Sequence, residues 1–229
     1  MPFTPPPASA GQCNGVPFED AKNVAADNKA AFDAFDKTPK GKNDPSKCKA
    51  LLAFPDNAAI FWSSKMAIDA DGPAAGPGRR RGSELDPGPG QDDTTLHFSN
   101  GRGLPSETIP YIVLPGGTFR SNTGLAFGDV AVVIFKDKIT AAICGDLGPK
   151  MKIGEGSIRV HEALHPPAPD PCIRGNDGFC RRIHNVSIDE DVLFFVFPDS
   201  GLDDLSAASL EGRIKERAFS LYNKLRGVS

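Results

Sequence analysis

The distribution of apolar residues along the chain predicts a strand-rich core with a helix near each end. Apolar positions at helical spacing predict a first helix over about 18–37, interrupted only by Asn28. A second helical stripe runs through Leu210, Ile214, Ala218, Leu221 and Leu225. Asp203 and Asp204 precede this stripe and Gly227 follows it, as the dipole and the C-terminal cap of a helix favour. The two ends of the chain are therefore expected to flank the core as helices.

Short apolar runs between these helices predict the strands of the core. They are AAIFWSSKMAID, TIPYIVLP, GDVAVVIFKDKITAAICGD, KIGEGSIRVH and DVLFFVFP. The third run predicts a hairpin that turns at Lys136-Asp137-Lys138. In the first run, apolar residues face one side, and the other side turns polar towards Asp69. This strand is expected to have one core face and one face that turns polar towards its end.

Residues 70–93 have no apolar periodicity and are rich in glycine and proline. A loop of this length is unusual in a compact domain and is often functional. We expect its arginine run, Arg79-Arg80-Arg81, to be solvated and to point away from any cleft. The Pro/Ala/Gly-rich composition of residues 1–16 predicts an irregular, flexible lead-in. Residues 17–229 are predicted to form a single domain.

Composition narrows the classes of protein to which the chain can belong. Its 229 residues and 39% hydrophobic content fit a globular domain, and its 24 glycines and 21 prolines fit many turns. The net charge of −3 implies no general attraction to nucleic acid, so no nucleic-acid partner is expected. No run is long and apolar enough for a membrane span. The N-terminus lacks the apolar region of a signal peptide, so we expect a mature start or a lead-in.

Five cysteines are present without any CxxC pair, which disfavours zinc-ribbon and thioredoxin folds. Cys172 and Cys180 bracket a polar loop, and Cys13 and Cys48 bracket the N-terminal segment. Either two disulfides form between these pairs, or all the cysteines are reduced and packed. Cys144 lies in an apolar strand pattern and is expected to be a buried free thiol.

The sequence His161-Glu162-Ala163-Leu164-His165 matches HExxH, the signature of zinc peptidases. Two such histidines bind one zinc only if they lie one helical turn apart on the same face. Pro166 disfavours the helical conformation of His165, and the alternation from Ser157 to His161 favours a strand. We therefore expect a strand that ends in a short turn, although a metallopeptidase stays an alternative. No metal and no cofactor are expected.

Acidic residues form three groups along the chain: Asp69 with Asp71, Asp86 with Asp92 and Asp93, and Asp146 with Glu155. Asp146 ends an apolar run, and Glu155 begins the next strand between two glycines, which allow close approach of a backbone or a substrate. Two acids placed in this way can face one cleft. One acid can then protonate the leaving oxygen of a glycoside while the other activates water. The alternative is a turn-capping Asp146 and an ordinary exposed Glu155.

The residues from about Ile60 to His161 resemble the chitosanases of glycoside hydrolase family 75. The segments that carry the resemblance are FWSSKMAIDADG, DDTTL, PYIVLPGG, GDVAVVIF and AAICGDLGPKMKIGEGSI. The resemblance implies that Asp146 and Glu155 are the catalytic carboxylates of an inverting enzyme acting on β-1,4-linked glucosamine. It also implies a mainly β fold with a compact β-barrel core, for which the double-psi type is one candidate topology.

The first hypothesis is therefore a secreted, monomeric, endo-acting chitosanase whose only partner is its polysaccharide substrate, chitosan. We expect Lys65, Asp69, Asp71, Asp92 and Asp93 to line its subsites, where carboxylates would pair with the ammonium groups of glucosamine. The sequence does not divide the roles of acid and base, and Glu155 is taken as the acid as a working hypothesis. The alternative hypothesis is a carbohydrate-binding or cell-wall-binding barrel that has the scaffold without the chemistry.

Overall fold

A computed structural model describes residues 12–23, 44–150 and 152–228. The chain is mainly β. Its strands, in order, are β1 (Gln12–Cys13), β2 (Val16–Pro17), β3 (Lys22–Asn23), β4 (Leu51–Ala53), β5 (Ile60–Asp69), β6 (Tyr111–Gly116), β7 (Val130–Phe135), β8 (Lys138–Lys150), β9 (Glu155–Ser157), β10 (Cys172–Arg174), β11 (Cys180–Ile183) and β12 (Ile188–Val196). The α-helices are α1 (Gly82–Leu85), α2 (Phe119–Thr123), α3 (Ile158–Leu164) and α4 (Leu210–Leu225). Short 3₁₀ turns occupy Pro45–Lys47 and Pro55–Asn57.

Six strands form a closed β-barrel, which confirms the predicted core. They are hydrogen-bonded in the order β12-β7-β8-β6-β9-β5, and β12 pairs again with β5 to close the ring. The β5–β9 and β6–β8 pairs are parallel, whereas β7–β8, β7–β12 and β5–β12 are antiparallel. The predicted hairpin is confirmed, since β7 and β8 are joined by Lys136 and Asp137. Strands β4 and β3 extend the sheet beyond β5.

Both faces of the barrel strands are buried, because apolar layers cover each of them. In β5, Phe61 belongs to one hydrophobic cluster, and Trp62 belongs to a second cluster on the opposite face. The first cluster includes α4, and the second includes Val160 and Leu164 of α3. The prediction that β5 has only one core face is therefore wrong, because Ser63 and Lys65 on the other face are also buried; burial is only partial from Ala67 to Asp69, at the end of the strand.

The C-terminal helix lies where its apolar stripe predicts, whereas the predicted N-terminal helix is wrong in the residues that the structure describes. Helix α4 buries Leu210, Ile214, Ala218 and Tyr222. The helix expected over about 18–37 is wrong for its first six residues, which form a turn and strand β3. Its remaining residues lie outside the part of the chain that the structure describes.

One disulfide ties the N-terminal segment and a second closes a peripheral hairpin, as one of the two cysteine alternatives predicted. Cys13 is bonded to Cys48 and Cys172 to Cys180, while Cys144 is a buried free thiol. Residues 12–16 of the expected lead-in form part of a short β1–β2 pair in which Cys13 and Val16 are fully buried. Residues 1–11 lie outside the described residues. None of the described helices is long and apolar enough to cross a bilayer.

Candidate active site

Asp146 lies in β8 directly after an irregularity of the strand. Ile112 and Val113 of β6 are consecutive, but they pair with Cys144 and Asp146, so that Gly145 is the extra residue. A bulge of this kind redirects the side chain that follows it. Glycine is needed there, because a Cβ atom on Gly145 would lie 2.6 Å from the Cβ of Tyr111. The glycine of the Gly-Asp pair thus permits the bulge that orients the Asp146 side chain.

The Asp146 carboxylate is buried and well supplied with hydrogen-bond donors. Its Oδ1 accepts from the Thr95 hydroxyl at 2.6 Å, from the Thr95 amide at 2.9 Å and from the Leu147 amide at 2.8 Å. Thr95 belongs to the segment that follows the long loop, 51 residues away in sequence. The loop and the barrel therefore meet at this carboxylate.

Glu155 begins β9, and the glycine before it allows the chain to enter the barrel. Gly154 has φ of +80°, and a Cβ atom there would lie 2.1 Å from the carbonyl oxygen of Lys65. Only glycine tolerates both the conformation and the close approach. The Glu155 side chain is buried, and its Oε1 lies 2.6 Å from Nζ of Lys152.

The strand order brings Asp146 and Glu155 to the same stretch of the barrel. Val113 of β6 pairs with Asp146, and the neighbouring Ile112 pairs with Gly156 in antiparallel register, which places Glu155 beside Val113 on its other side. The two acids are thus separated by two strand spacings, about 10 Å between their backbones. Residues opposite one another in neighbouring strands share a face, so both carboxylates project from one face of the sheet.

Asp69 and Asp71 lie close to Asp146 and are joined to each other through Tyr111. The Tyr111 hydroxyl lies 3.0 Å from Oδ1 of Asp69 and 2.8 Å from the carbonyl oxygen of Asp71. The Asp71 amide donates to Asp69 Oδ1 at 2.8 Å. Asp69 retains partial exposure, to the cavity that it lines, and is otherwise enclosed.

Burial and like charge raise the pKa of both of these acids. Burial raises the pKa of Asp69 well above its usual range, and the neighbouring Asp71 and Asp146 raise it further. Burial also raises the pKa of Asp71 to about 6, although the Gln91 amide, which donates to its carboxylate, opposes this. Asp146 and Asp86 add to the shift of Asp71. Both shifts follow from placing several carboxyl groups in one poorly hydrated site.

These acids surround a cavity of about 230 Å³. Its charged and amide-bearing lining consists of Asp69, Asp71, Asp86, Gln91, Lys152 and Glu155. Asp86, grouped with Asp92 and Asp93 in the sequence, is the one member of that group in the lining. The cavity is therefore rimmed by four carboxyl groups and one ammonium group, a surface suited to a cationic ligand.

The other residues expected in subsites lie elsewhere. Lys65 is buried and is not part of the cavity lining. Asp92 is exposed; it accepts from the Ser83 amide and hydroxyl and pairs with Arg81 at 3.1 Å. Asp93 is exposed and contacts the His97 ring at 3.0 Å. The substrate-binding role of these three residues stays a prediction, and their observed contacts are structural.

Arg79 and Arg81 of the long loop are engaged away from the cavity, as expected, but Arg79 is half-buried rather than solvated. Arg79 pairs with the buried Glu107 at 2.8 Å and lies 4.1 Å from the ring centroid of Phe179. Arg81 pairs with Glu84 and Asp92. Among the described residues that line the cavity, none is an arginine. The loop is thus pinned to the disulfide-closed β10–β11 hairpin, and the cavity remains acidic.

The HExxH residues are engaged in other contacts. The strand predicted over residues 157–161 is wrong after Ser157, because Ile158 begins helix α3 and Ser157 caps it by accepting from the Val160 amide. His161 is buried with its Nε2 3.1 Å from the carbonyl oxygen of Ala67, and Glu162 pairs with Arg174. His165 follows the helix in an extended conformation, as Pro166 predicted. The two histidines therefore do not share one helical face.

Asp69, Asp71 and Asp146 are the described residues whose spacing could suit a metal ion, with carboxylate oxygens all within 4.8 Å of one another. Oxygen ligands of this kind suit hard cations. Acidic clusters also serve proton storage and cation binding without a metal, and no metal site is assigned here.

Three residues of the site were not found by sequence reasoning: Tyr111, Thr95 and Lys152. Thr95 and Tyr111 reach their partners across 51 and 42 residues, respectively, and a local pattern carries no signal of such contacts. Lys152 lies three residues before Glu155, and this spacing could have suggested an ion pair.

A family model described as fungal chitosanase of glycosyl hydrolase group 75 matches residues 66–222. The match covers about two thirds of the chain and contains Asp69, Asp146 and Glu155. No individual curated protein matches the chain.

Proposed function

Since the chain belongs to the fungal chitosanase family of glycosyl hydrolase group 75, we propose that it cleaves β-1,4 bonds within chitosan chains with inversion, using Asp146 and Glu155. The observation that carries this proposal is the position of the two acids on either side of Val113, with Glu155 and Leu147, the neighbour of Asp146, in the lining of an acidic cavity. One carboxyl group protonates the glycosidic oxygen, and the other removes a proton from the attacking water.

The proposal of inversion follows the family resemblance. Inverting enzymes hold their carboxyl groups about 6.5–9.5 Å apart to leave room for water, whereas retaining enzymes hold them about 5–5.5 Å apart. Inversion therefore requires a water molecule between the Asp146 and Glu155 carboxyl groups. The direct displacement by water then yields a product of opposite anomeric configuration.

The contacts of Asp146 and Glu155 bear on their roles. Lys152 lies 2.6 Å from Glu155 and is a partner for the ionised carboxylate, as a base requires. Asp146 Oδ1 likewise acts as an acceptor, because three hydrogen-bond donors converge on it. The working hypothesis that Glu155 is the acid therefore gains no support from its partner, and a variant of Lys152 can decide the question.

The ammonium groups of the substrate are proposed to bind the acidic cavity, chiefly at Asp71 and Asp86. Asp71 carries a charge above a pH of about 6, and a bound ammonium group favours that charge further. Asp69, whose pKa burial raises well above its usual range, accepts hydrogen bonds from the Asp71 amide and the Tyr111 hydroxyl and is better suited to orient Asp71 than to pair with a cation. An acidic cavity on a chain of net charge −3 explains a cationic substrate without a strongly acidic protein.

The test is hydrolysis of fully deacetylated chitosan by the purified chain. We expect new reducing ends together with a rapid fall in viscosity, which marks cleavage within chains, and NMR of the first products should show the inverted anomer. A barrel that binds carbohydrate without chemistry would bind chitosan and release no ends. Loss of activity in EDTA would instead support a metal-dependent reaction.

We also propose that the enzyme is secreted, which its two disulfides favour.

A further inference from the structure

We infer that Thr95 is a positioning residue for the proposed reaction, and that it holds the Asp146 carboxyl group so that only its Oδ2 gives or takes the proton. Thr95 belongs to the DDTTL segment that follows the long loop. The inference rests on the proposed role of Asp146 and adds to it the residue that selects the reacting oxygen.

The hydrogen bonds between the Asp146 carboxyl group and the described residues all end on Oδ1. The Thr95 hydroxyl donates at 2.6 Å, the Thr95 amide at 2.9 Å and the Leu147 amide at 2.8 Å. An oxygen with three hydrogens directed at it has no room for a proton of its own, because an amide N–H cannot turn round to accept one. A proton that passes through Asp146, whether given as an acid or taken as a base, is therefore carried on Oδ2.

Thr95 also fixes the plane of the Asp146 carboxyl group. The terminal torsion of an aspartate side chain is broad, so hydrogen-bond partners must set the plane. Thr95 supplies two of the three donors from the loop segment, and Leu147 supplies the third from β8. This plane decides the direction in which Oδ2 presents its proton, and proton transfer is efficient only within hydrogen-bond reach of the reacting atom.

The two threonines of the DDTTL segment have different environments. Thr94 is buried; its hydroxyl donates to the Leu96 carbonyl at 2.9 Å and accepts from the Leu104 amide at 2.7 Å. The Leu96 amide donates to the carbonyl oxygen of Gly145 at 2.9 Å, which ties the segment to β8. Thr95 is exposed, so water can satisfy its hydroxyl at little cost to the fold. The bond of this hydroxyl to a buried carboxyl group therefore points to the reaction rather than to stability.

The experiment measures kcat and KM separately on fully deacetylated chitosan. Thr95→Val and Thr95→Ala both remove the hydroxyl and should lower kcat by about 10–100-fold, the range for one hydrogen bond to a charged group, while KM and Tm change little. Thr95→Ser retains the hydroxyl and should keep most of the activity. Thr118→Val is the matched control, because it makes the same change on an exposed threonine outside the cavity lining, and it should keep the wild-type kcat.

The double variant that combines Thr95→Val with Asp146→Asn separates a positioning role from a structural one. If Thr95 acts through Asp146, the double variant should be no slower than Asp146→Asn alone. A further loss in the double variant, a raised KM with unchanged kcat, or equal kcat in Thr95→Val and Thr95→Ser would overturn the inference. The proposed function fails by different outcomes: the wild type releases no reducing ends, or Asp146→Asn keeps the wild-type rate.

Discussion

At the residue scale, the site depends on two glycines that hold two acids. Gly145 and Gly154 each occupy a position where a Cβ atom would collide, with Tyr111 and with the Lys65 carbonyl, respectively. Each glycine immediately precedes a proposed catalytic acid. The glycines of the Gly-Asp and Gly-Glu pairs are therefore required by the packing around them, independently of any family resemblance.

The first prediction concerns Asp146 and Glu155 themselves. Asp146→Asn and Glu155→Gln should each lower kcat by about 10²–10⁴-fold, the usual contribution of a general acid or base. Both substitutions keep the side-chain shape, so the Tm should change little. Asp137→Asn, in the exposed β7–β8 turn, is the matched control and should keep full activity. Retention of more than about a tenth of the wild-type rate would remove that residue from the chemistry.

The second prediction assigns the acid and base roles through Lys152. Lys152→Met removes the cation 2.6 Å from Glu155, so the ionised form of the Glu155 carboxylate loses its charged partner. In the kcat/KM profile, the acidic limb moves if Glu155 is the base, and the alkaline limb moves if Glu155 is the acid. We expect the acidic limb to move. A profile in which neither limb moves would show that the ion pair plays no part in the reaction.

At the scale of elements, strands were easier to predict than helix α3 and the N-terminal segment. The apolar runs of β5, β7, β8 and β12 are long enough to identify strands whichever face they bury. Ile158 to His161 alternate as a strand would, but Ser157 satisfies the first amides of a helix, and tertiary packing of Val160 and Leu164 completes it. The pattern also failed at β5, because a closed barrel covered on both sides leaves no solvent face.

The third prediction follows from the buried histidine of α3. Burial lowers the pKa of His161 to about 4, whereas in the unfolded chain it is about 6.5. Between these values the unfolded chain binds the additional proton, so the stability that neutral His161 contributes is lost as pH falls from about 6.5 to about 4. The loss amounts to at most about 3 kcal/mol.

Urea unfolding of wild type and His161→Gln at pH 7 and pH 4.5 measures this contribution. The wild type should lose more stability on acidification than the variant does. His184→Gln, which removes a less buried histidine, is the control and should behave as wild type. Asp69 and Asp71, with raised pKa values, act in the opposite direction in this window, so the comparison must be made between single variants. An identical pH dependence in wild type and His161→Gln would contradict the prediction.

At the scale of the whole molecule, an acidic cavity on a nearly neutral chain makes charge the main determinant of substrate choice. Ammonium binding requires ionised carboxylates. Asp71, with a pKa of about 6, ionises at a higher pH than an ordinary aspartate does. It also requires protonated glucosamine, whose amine begins to lose its proton above a pH of about 6–7, by analogy with the low value of α-amino groups. The affinity for chitosan should therefore be highest in a narrow, weakly acidic range around pH 6.

The same argument sets the dependence on salt and on acetylation. Exposed charge pairs are screened over about 8–10 Å at moderate ionic strength, so the affinity for chitosan should fall as salt is added. The rate should also fall as acetylation rises, because an acetamide brings no charge to the acidic cavity. Initial rates on chitosans of graded acetylation, at two salt concentrations, measure both effects, with a neutral β-1,4-glucan as the uncharged comparison. Equal rates on chitosan and on the glucan would refute binding through the acidic cavity, even if Asp146 and Glu155 proved to be catalytic.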